Sequence, residues 1–143
     1  MKKSIAIIGM SVVFLMMMAA HGAWAADNGT GTVTVDGLVW LKDAGCLSRG
    51  SWDQAKSQAA SLKSGQCGLT DGSYAGQWRL PTILELSKRY SNHGEFINVQ
   101  MGDYWSSTGG RTSEYAWVAN MEFGYESEMK TWGLGYAWPV RNP

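Results

Sequence analysis

The period of the apolar residues changes twice along this chain, and that change constrains the fold more than any other feature. Over residues 33–41 (VTVDGLVWL) the pattern alternates, with Val33, Val35, Gly37 and Val39 on one parity and Leu38 and Trp40 on the other. Between Ser51 and about Tyr90 the spacing becomes helical, and from Asp103 the period returns to two. A period of two sorts residues onto opposite faces of a sheet, whereas a period near 3.6 builds one stripe along a helix. Strands, helix, helix, strands is the order of an α+β domain with an antiparallel sheet.

Local signals sharpen that outline. Asp36-Gly37 is a two-residue hairpin turn. Ser51 and Gln54 form the two halves of a capping box, as do Thr82 and Glu85. The first helix carries Trp52, Ala55, Ala59 and Leu62, has Lys63 in its last turn and stops at Gly65. The second follows Pro81 and presents Ile83, Leu84, Leu86 and Tyr90. Beyond it, a strand through Tyr104 and Trp105 (DYWSST) runs to the turn Gly109-Gly110. Over residues 115–123, Tyr115, Trp117, Ala119, Met121 and Phe123 share one face, and Ala116, Val118, Asn120 and Glu122 the other. Residues 127–132 and 136–141 read as two more strands, with Pro139 at an edge or end.

The first 25 residues read as a secretory signal peptide. Lys2 and Lys3 precede an apolar run over residues 5–20, and Ala23 and Ala25 supply the small residues before a cut after Ala25. A membrane anchor is the alternative, but the run is short of the ~20 residues a spanning helix needs. No cysteine directly follows the run to carry a lipid. The expected location is periplasmic or secreted, with no stable membrane anchor after cleavage. Residues 26–36 then form a polar leader and first strand, with 26–32 expected to be loose, and residues 37–143 form one domain.

Charge and cysteine count narrow the function. The chain has twelve basic and twelve acidic residues; removing Lys2 and Lys3 leaves ten against twelve, a net charge of −2. With no basic run, nucleic acid is not an expected partner. Cys46 and Cys67 are the two cysteines of the sequence, and in an oxidising compartment a disulfide is expected. Redox chemistry asks instead for closely spaced thiols. No cofactor or metal is expected, since His93, the one histidine after the expected cut, lacks neighbours for a ligand set. Ser106 and Ser107 offer hydroxyls, but nothing ties His93 to them as a base. Glu126 and Glu128 share a strand face, as a solvated edge or as an acid–base or calcium-binding pair.

The segment QWRLPTILEL (residues 77–86) is a compact motif. Trp78, Arg79, Leu80, Pro81, Thr82 and Glu85 read as the joint that wedges the second helix against the sheet, together with Trp105; the sharper reading makes Arg79 a ligand contact. Binding candidates lie further on: Arg111, Asn120, Tyr125, Lys130, Trp132, Tyr136 and Trp138. Aromatic rings of this kind stack on sugars, anchor protein interfaces, or fill a core.

The succession GLVWLKDA, a helix starting at SW, QWRLPTILEL, YWSST, YAWVANMEFG and YAWPVR resembles the C-terminal domain family of the Legionella collagen-like adhesin, over about residues 37–141. The RLPT-x-x-E core is also similar to formylglycine-generating enzymes, whose domains carry a variant of the C-type lectin fold. The resemblance implies a C-type-lectin-like domain with two helices, a small twisted sheet and long aromatic-bearing loops. It also implies binding of sulfated polysaccharides, which asks for a basic face, whereas here the basic residues are scattered. The formylglycine enzymes use cysteines late in the domain, and none follows Cys67 here. The Glu-Pro-Asn, Gln-Pro-Asp and Trp-Asn-Asp triplets of calcium-dependent lectins are missing from the sequence. The expected function is an exported, non-enzymatic binding or adhesion domain whose partner is a glycan or a surface protein. The alternative is a structural or assembly subunit of an extracellular filament or surface complex, with homo-oligomers.

Overall fold

A computed structural model describes residues 25–143; the expected signal peptide, apart from Ala25, lies outside the described residues. Ala26–Asp27 (β1) pairs antiparallel with Thr32–Val35 (β2). The stretch expected to be a loose leader is therefore tied down. Asp27 forms an ion pair with Lys42 and accepts the Gly29 N–H, and the Asn28 amide donates to the hydroxyls of Thr32 and Thr34 at 2.9 Å each. Short polar side chains that satisfy one another and the backbone fix a segment with little apolar surface.

Asp36 and Gly37 both take positive φ, 52° and 74°, the requirement of a type I′ turn. They join β2 to Leu38–Leu41 (β3), with Val35 opposite Leu38. The first helix is Trp52–Ser61 (α1), with the Ser51 and Gln54 capping box closed in both directions. It ends before the expected stop. Leu62 turns extended and buries its side chain, so Lys63 falls outside the last turn and Gly65 lies in the following loop. The second helix, Ile83–Ser87 (α2), is capped by Thr82 and Glu85 and does not reach Tyr90.

The later strands are Asp103–Gly109 (β4), Tyr115–Asn120 (β5), Glu126–Lys130 (β6) and Val140–Arg141 (β7). Two small antiparallel sheets result, in orders β1-β2-β3-β7 and β4-β5-β6, where a single sheet was expected. The expected strand over 136–141 shrinks to two residues because its backbone bonds go to several partners. Gly135 exchanges two bonds of 3.0 Å with Gly50. Tyr136 donates to Asp103 at 2.9 Å and accepts from Trp105 at 2.8 Å. Pro139 accepts from Leu41 at 3.0 Å, and Val140 exchanges bonds with Arg79 at 2.8 and 2.9 Å. Residues 135–141 thus form a strap that ties both sheets to the approach of α1 and to the QWRLP segment.

Two apolar clusters lie on opposite sides of β4-β5-β6. One gathers Trp40, Phe96, Tyr104 and Trp138 under the first sheet, with Ile83 of α2 against it; the other packs Ala55 and Ala59 of α1 on Leu80, Trp105 and Val118. The disulfide joins Cys46 and Cys67 across α1, a closure worth ~3 kcal/mol in the chain-entropy model. At the joint, Arg79 makes a two-pronged bond to Glu85 at 2.9 and 3.1 Å, and Glu85 also accepts the Thr82 N–H at 2.8 Å. The α2 amide of Ile83 donates to the Thr108 hydroxyl at 3.0 Å, which anchors the helix start on β4.

Two carboxylates give the fold an acid limit. The bond from Arg79 holds the Glu85 carboxyl below its ordinary value of 4.5. Burial pushes Asp71 upward, but bonds from Ser73 and Arg141 outweigh it and keep the group below 3.8. A carboxylate with a depressed folded pKa stabilises above its unfolded value, and that stability is lost as pH falls through the folded value. Melting temperature is expected to hold above about pH 5 and to drop steadily below it. Glu85→Gln should make that acid slope shallower in a series of thermal melts; an unchanged slope would rule out the Glu85 contribution.

Candidate functional site

The β5–β6 hairpin carries a surface of aromatic rings and paired charges. Alternation turns Ala116 and Val118 into the α1-side cluster, so Tyr115 and Trp117 point the other way and stay half-buried. Lys130 lies opposite Tyr115, and Glu128 opposite Trp117. The Lys130 ammonium sits 4.4 Å from the Tyr115 ring centroid and 4.9 Å from that of Trp132. The Tyr115 side chain foremost, and Glu114 at 3.7 Å, hold its pKa above the ordinary lysine value. Trp132 is 62% exposed. Beside them Arg111 binds Glu128 through its Nε at 2.7 Å and its backbone N–H at 2.5 Å. The face therefore combines ring surfaces with donors and acceptors already held in place by ion pairs.

The structure distributes the predicted binding residues over three places. Arg111, Lys130 and Trp132 come together on this face. Asn120 and Tyr125 lie at the opposite end of the hairpin. Tyr136 and Trp138 belong to the strap. Trp138 is fully buried and donates to the Leu41 carbonyl at 2.9 Å, so it belongs to the core and not to a binding surface. Tyr136 is half-buried, 5.3 Å from the Tyr104 ring, with the Arg49 guanidinium 5.4 Å above it. Asn120 is buried as well. Its amide donates to Asp103 at 2.8 Å and its carbonyl oxygen accepts the N–H groups of Glu122 and Phe123 at 3.0 and 2.9 Å. It shapes the turn instead of meeting a ligand.

That turn holds two exposed rings, Phe123 and Tyr125, which stack nearly parallel at 6.4 Å. Between them Gly124 has φ of 78°, and an added Cβ would come within 2.5 Å of the Tyr90 ring. The sequence places Tyr115, Trp117 and Phe123 on one strand face and Tyr90 on the second helix, and it gives none of them a binding role. For Tyr115 and Trp117 a signal existed, since they alternate with the small core residues Ala116 and Val118. Tyr90 meets Gly124 only through the tertiary fold.

The candidates for other chemistry are placed as follows. Ser106 is fully buried and its hydroxyl donates to the Trp117 carbonyl at 2.6 Å. Glu128 is committed to Arg111. The joint residues Trp78 and Leu80 are buried, Trp78 donating to the Ser73 hydroxyl at 3.0 Å, and the Trp105 indole donates to the Gly50 carbonyl at 2.9 Å. Among the described residues, no group of three or more His, Cys, Asp or Glu is placed to hold a metal ion.

Comparison with known proteins adds the family. No curated protein matches the chain. The model of the Lcl C-terminal domain matches residues 29–141, from the turn after β1 to the last residue of β7. The two helices, both sheets apart from β1, the disulfide and the strap all fall within that match, and the chain belongs to the Lcl C-terminal domain family.

Proposed function

We propose that this protein is an exported, non-enzymatic adhesion domain of C-type-lectin-like architecture that holds a glycan against the open face of β5–β6. The observation that carries the reading is the Lys130 ammonium poised between the rings of Tyr115 and Trp132. Exposed rings offer apolar faces to the C–H side of a sugar, and the flanking Arg111–Glu128 pair supplies a fixed donor and acceptor for hydroxyls. Membership in an adhesin-related family supports adhesion. Support for the lectin-like architecture comes from two helices, small sheets and long irregular stretches over residues 62–82 and 88–102. The disulfide suits an oxidising compartment, and among the described residues no helix is long and apolar enough to cross a membrane.

The cations of this face are already paired with carboxylates, which favours a neutral or weakly charged glycan over a polyanion. Glycan-array and polysaccharide pull-down assays should find binding that changes little between low and physiological salt, since few counterions are released. Trp132→Ala should weaken it by tenfold or more, a loss of ~1.4 kcal/mol or above, while Leu84→Ala, an exposed change on α2, leaves it intact. Binding to no glycan, or full binding by Trp132→Ala, would sink the proposal.

A further inference from the structure

The register of the β5–β6 hairpin determines what its outer edge offers. The Asn120 N–H donates to the Tyr125 carbonyl, and the Thr131 N–H donates to the Glu114 carbonyl, each at 2.9 Å. These bonds bracket β6 and belong to the same register that pairs Tyr115 with Lys130 and Ala119 with Glu126. In an antiparallel ladder, hydrogen-bonded pairs alternate with pairs whose N–H and C=O groups point away. Ser127 and Met129 therefore bond to β5, and Glu126, Glu128 and Lys130 direct their backbone groups outward. Among the described residues no strand lies beyond β6. The Lys130 carbonyl is taken by the Gly133 N–H at 2.8 Å, which leaves three N–H groups and two carbonyls along one edge.

We infer that this edge pairs with the same edge of a second copy, antiparallel, across a two-fold axis through Glu128. The charge pattern of β6 selects the partner and the register. Residues of the sequence Glu-Ser-Glu-Met-Lys, run against a second copy, place Glu126 opposite Lys130 twice and Glu128 opposite itself once. Opposite charges directly across a ladder stabilise it, and like charges oppose it. The central meeting of Glu128 with Glu128 is relieved because each is bound by its own Arg111. An antiparallel register centred on Met129 also sets Glu128 against Lys130, but it competes with Arg111 and leaves Glu126 unmatched. A parallel pairing in register sets every charge against its like. Charged residues on an edge normally discourage strand addition; this spacing discourages mismatched strands and accepts its own copy.

Pairing of this kind joins two three-stranded sheets into one of six. It sets two Lys130–Trp132 faces on the same side of the joined sheet, because Glu126, Glu128 and Lys130 share one face of β6. One strand edge buries far less than the ~1,200 Å² of a stable interface, so the dimer is expected to form at high local concentration, as on a crowded surface. The inference does not depend on the nature of the ligand.

Sedimentation velocity on the purified protein over a wide concentration range tests it. A reversible dimer is expected for the natural sequence. E126K, at an exposed position, sets lysine against lysine twice and should weaken the dimer roughly tenfold or more. The double swap E126K/K130E restores both opposite pairs and should return the affinity to within about threefold of the starting value. Circular dichroism of each variant checks that the hairpin is intact, and E126Q, which keeps the shape, should give an intermediate loss. A monomer at every concentration would overturn the inference, as would an E126K dimer of unchanged affinity or a double swap that fails to recover.

Discussion

Trp138→Ala is expected to cost about 4 kcal/mol of folding stability, read from urea denaturation followed by circular dichroism. The ring lies 4.8 Å from Phe96, 5.4 Å from Tyr104 and 5.6 Å from Trp40, centroid to centroid. Deleting it opens a cavity where four aromatic side chains meet and removes the bond to the Leu41 carbonyl, which ties the strap to β3. Trp138→Phe keeps most of the apolar volume but orphans that carbonyl from the indole, so its cost should be nearer 1–2 kcal/mol. Glycan binding by the folded fraction of either variant should match the natural protein. A Trp138→Ala variant that stays stable and loses binding would return this residue to the ligand surface.

The second large effect concerns a buried charge. The Arg89 side chain is 1% exposed; its guanidinium donates to Asp36 at 2.6 Å and lies 5.0 Å over the Trp40 ring. Its Nε has no acceptor among the described residues. Burial lowers the Arg89 pKa, and the Asp36 carboxylate opposes that shift. Asp36→Asn leaves the guanidinium buried without its counter-charge and should cost about 3 kcal/mol. Asparagine tolerates the left-handed conformation that Asp36 holds, so the turn survives and the loss reports the charge. Arg89→Met removes the buried charge and leaves Asp36, which is 32% exposed, to water; its cost should be about 1 kcal/mol. The order of the two losses is the test, and equal losses would show that packing, not charge, governs the site. Because the cation is buried, added salt should change neither loss much.

Features decided within a few residues were legible from the chain. Both capping boxes depend on a hydroxyl and a carboxamide or carboxylate three positions away, and the Asp36-Gly37 turn depends on two residues that accept positive φ. A disulfide between the two cysteines required no geometry. What escaped was decided by distant partners. The strap alternates like a strand, yet its bonds go to Gly50, Asp103, Trp105, Leu41 and Arg79, five positions that no local period connects. Whether a tryptophan is core or surface was equally hidden. Trp132 and Trp138 sit six residues apart with similar neighbours, and only the packing of Phe96 and Tyr104 on one of them separates their roles. The leader was misread because its order comes from Lys42 and the hydroxyls of β2, not from apolar content.

The strap also sets a timetable. Its residues are made after both helices and the six strands before it, and they supply the bonds that join the two sheets to each other and to the approach of both helices. Loop closure over this distance must wait until residues 135–141 have been made. A ribosome-bound chain that stops before residue 135 has its hairpins and helices available but lacks the piece that locks them together. Loss of residues 135–141 is thus equivalent to removing a clasp, and a chain still being synthesised lacks that clasp until those residues emerge.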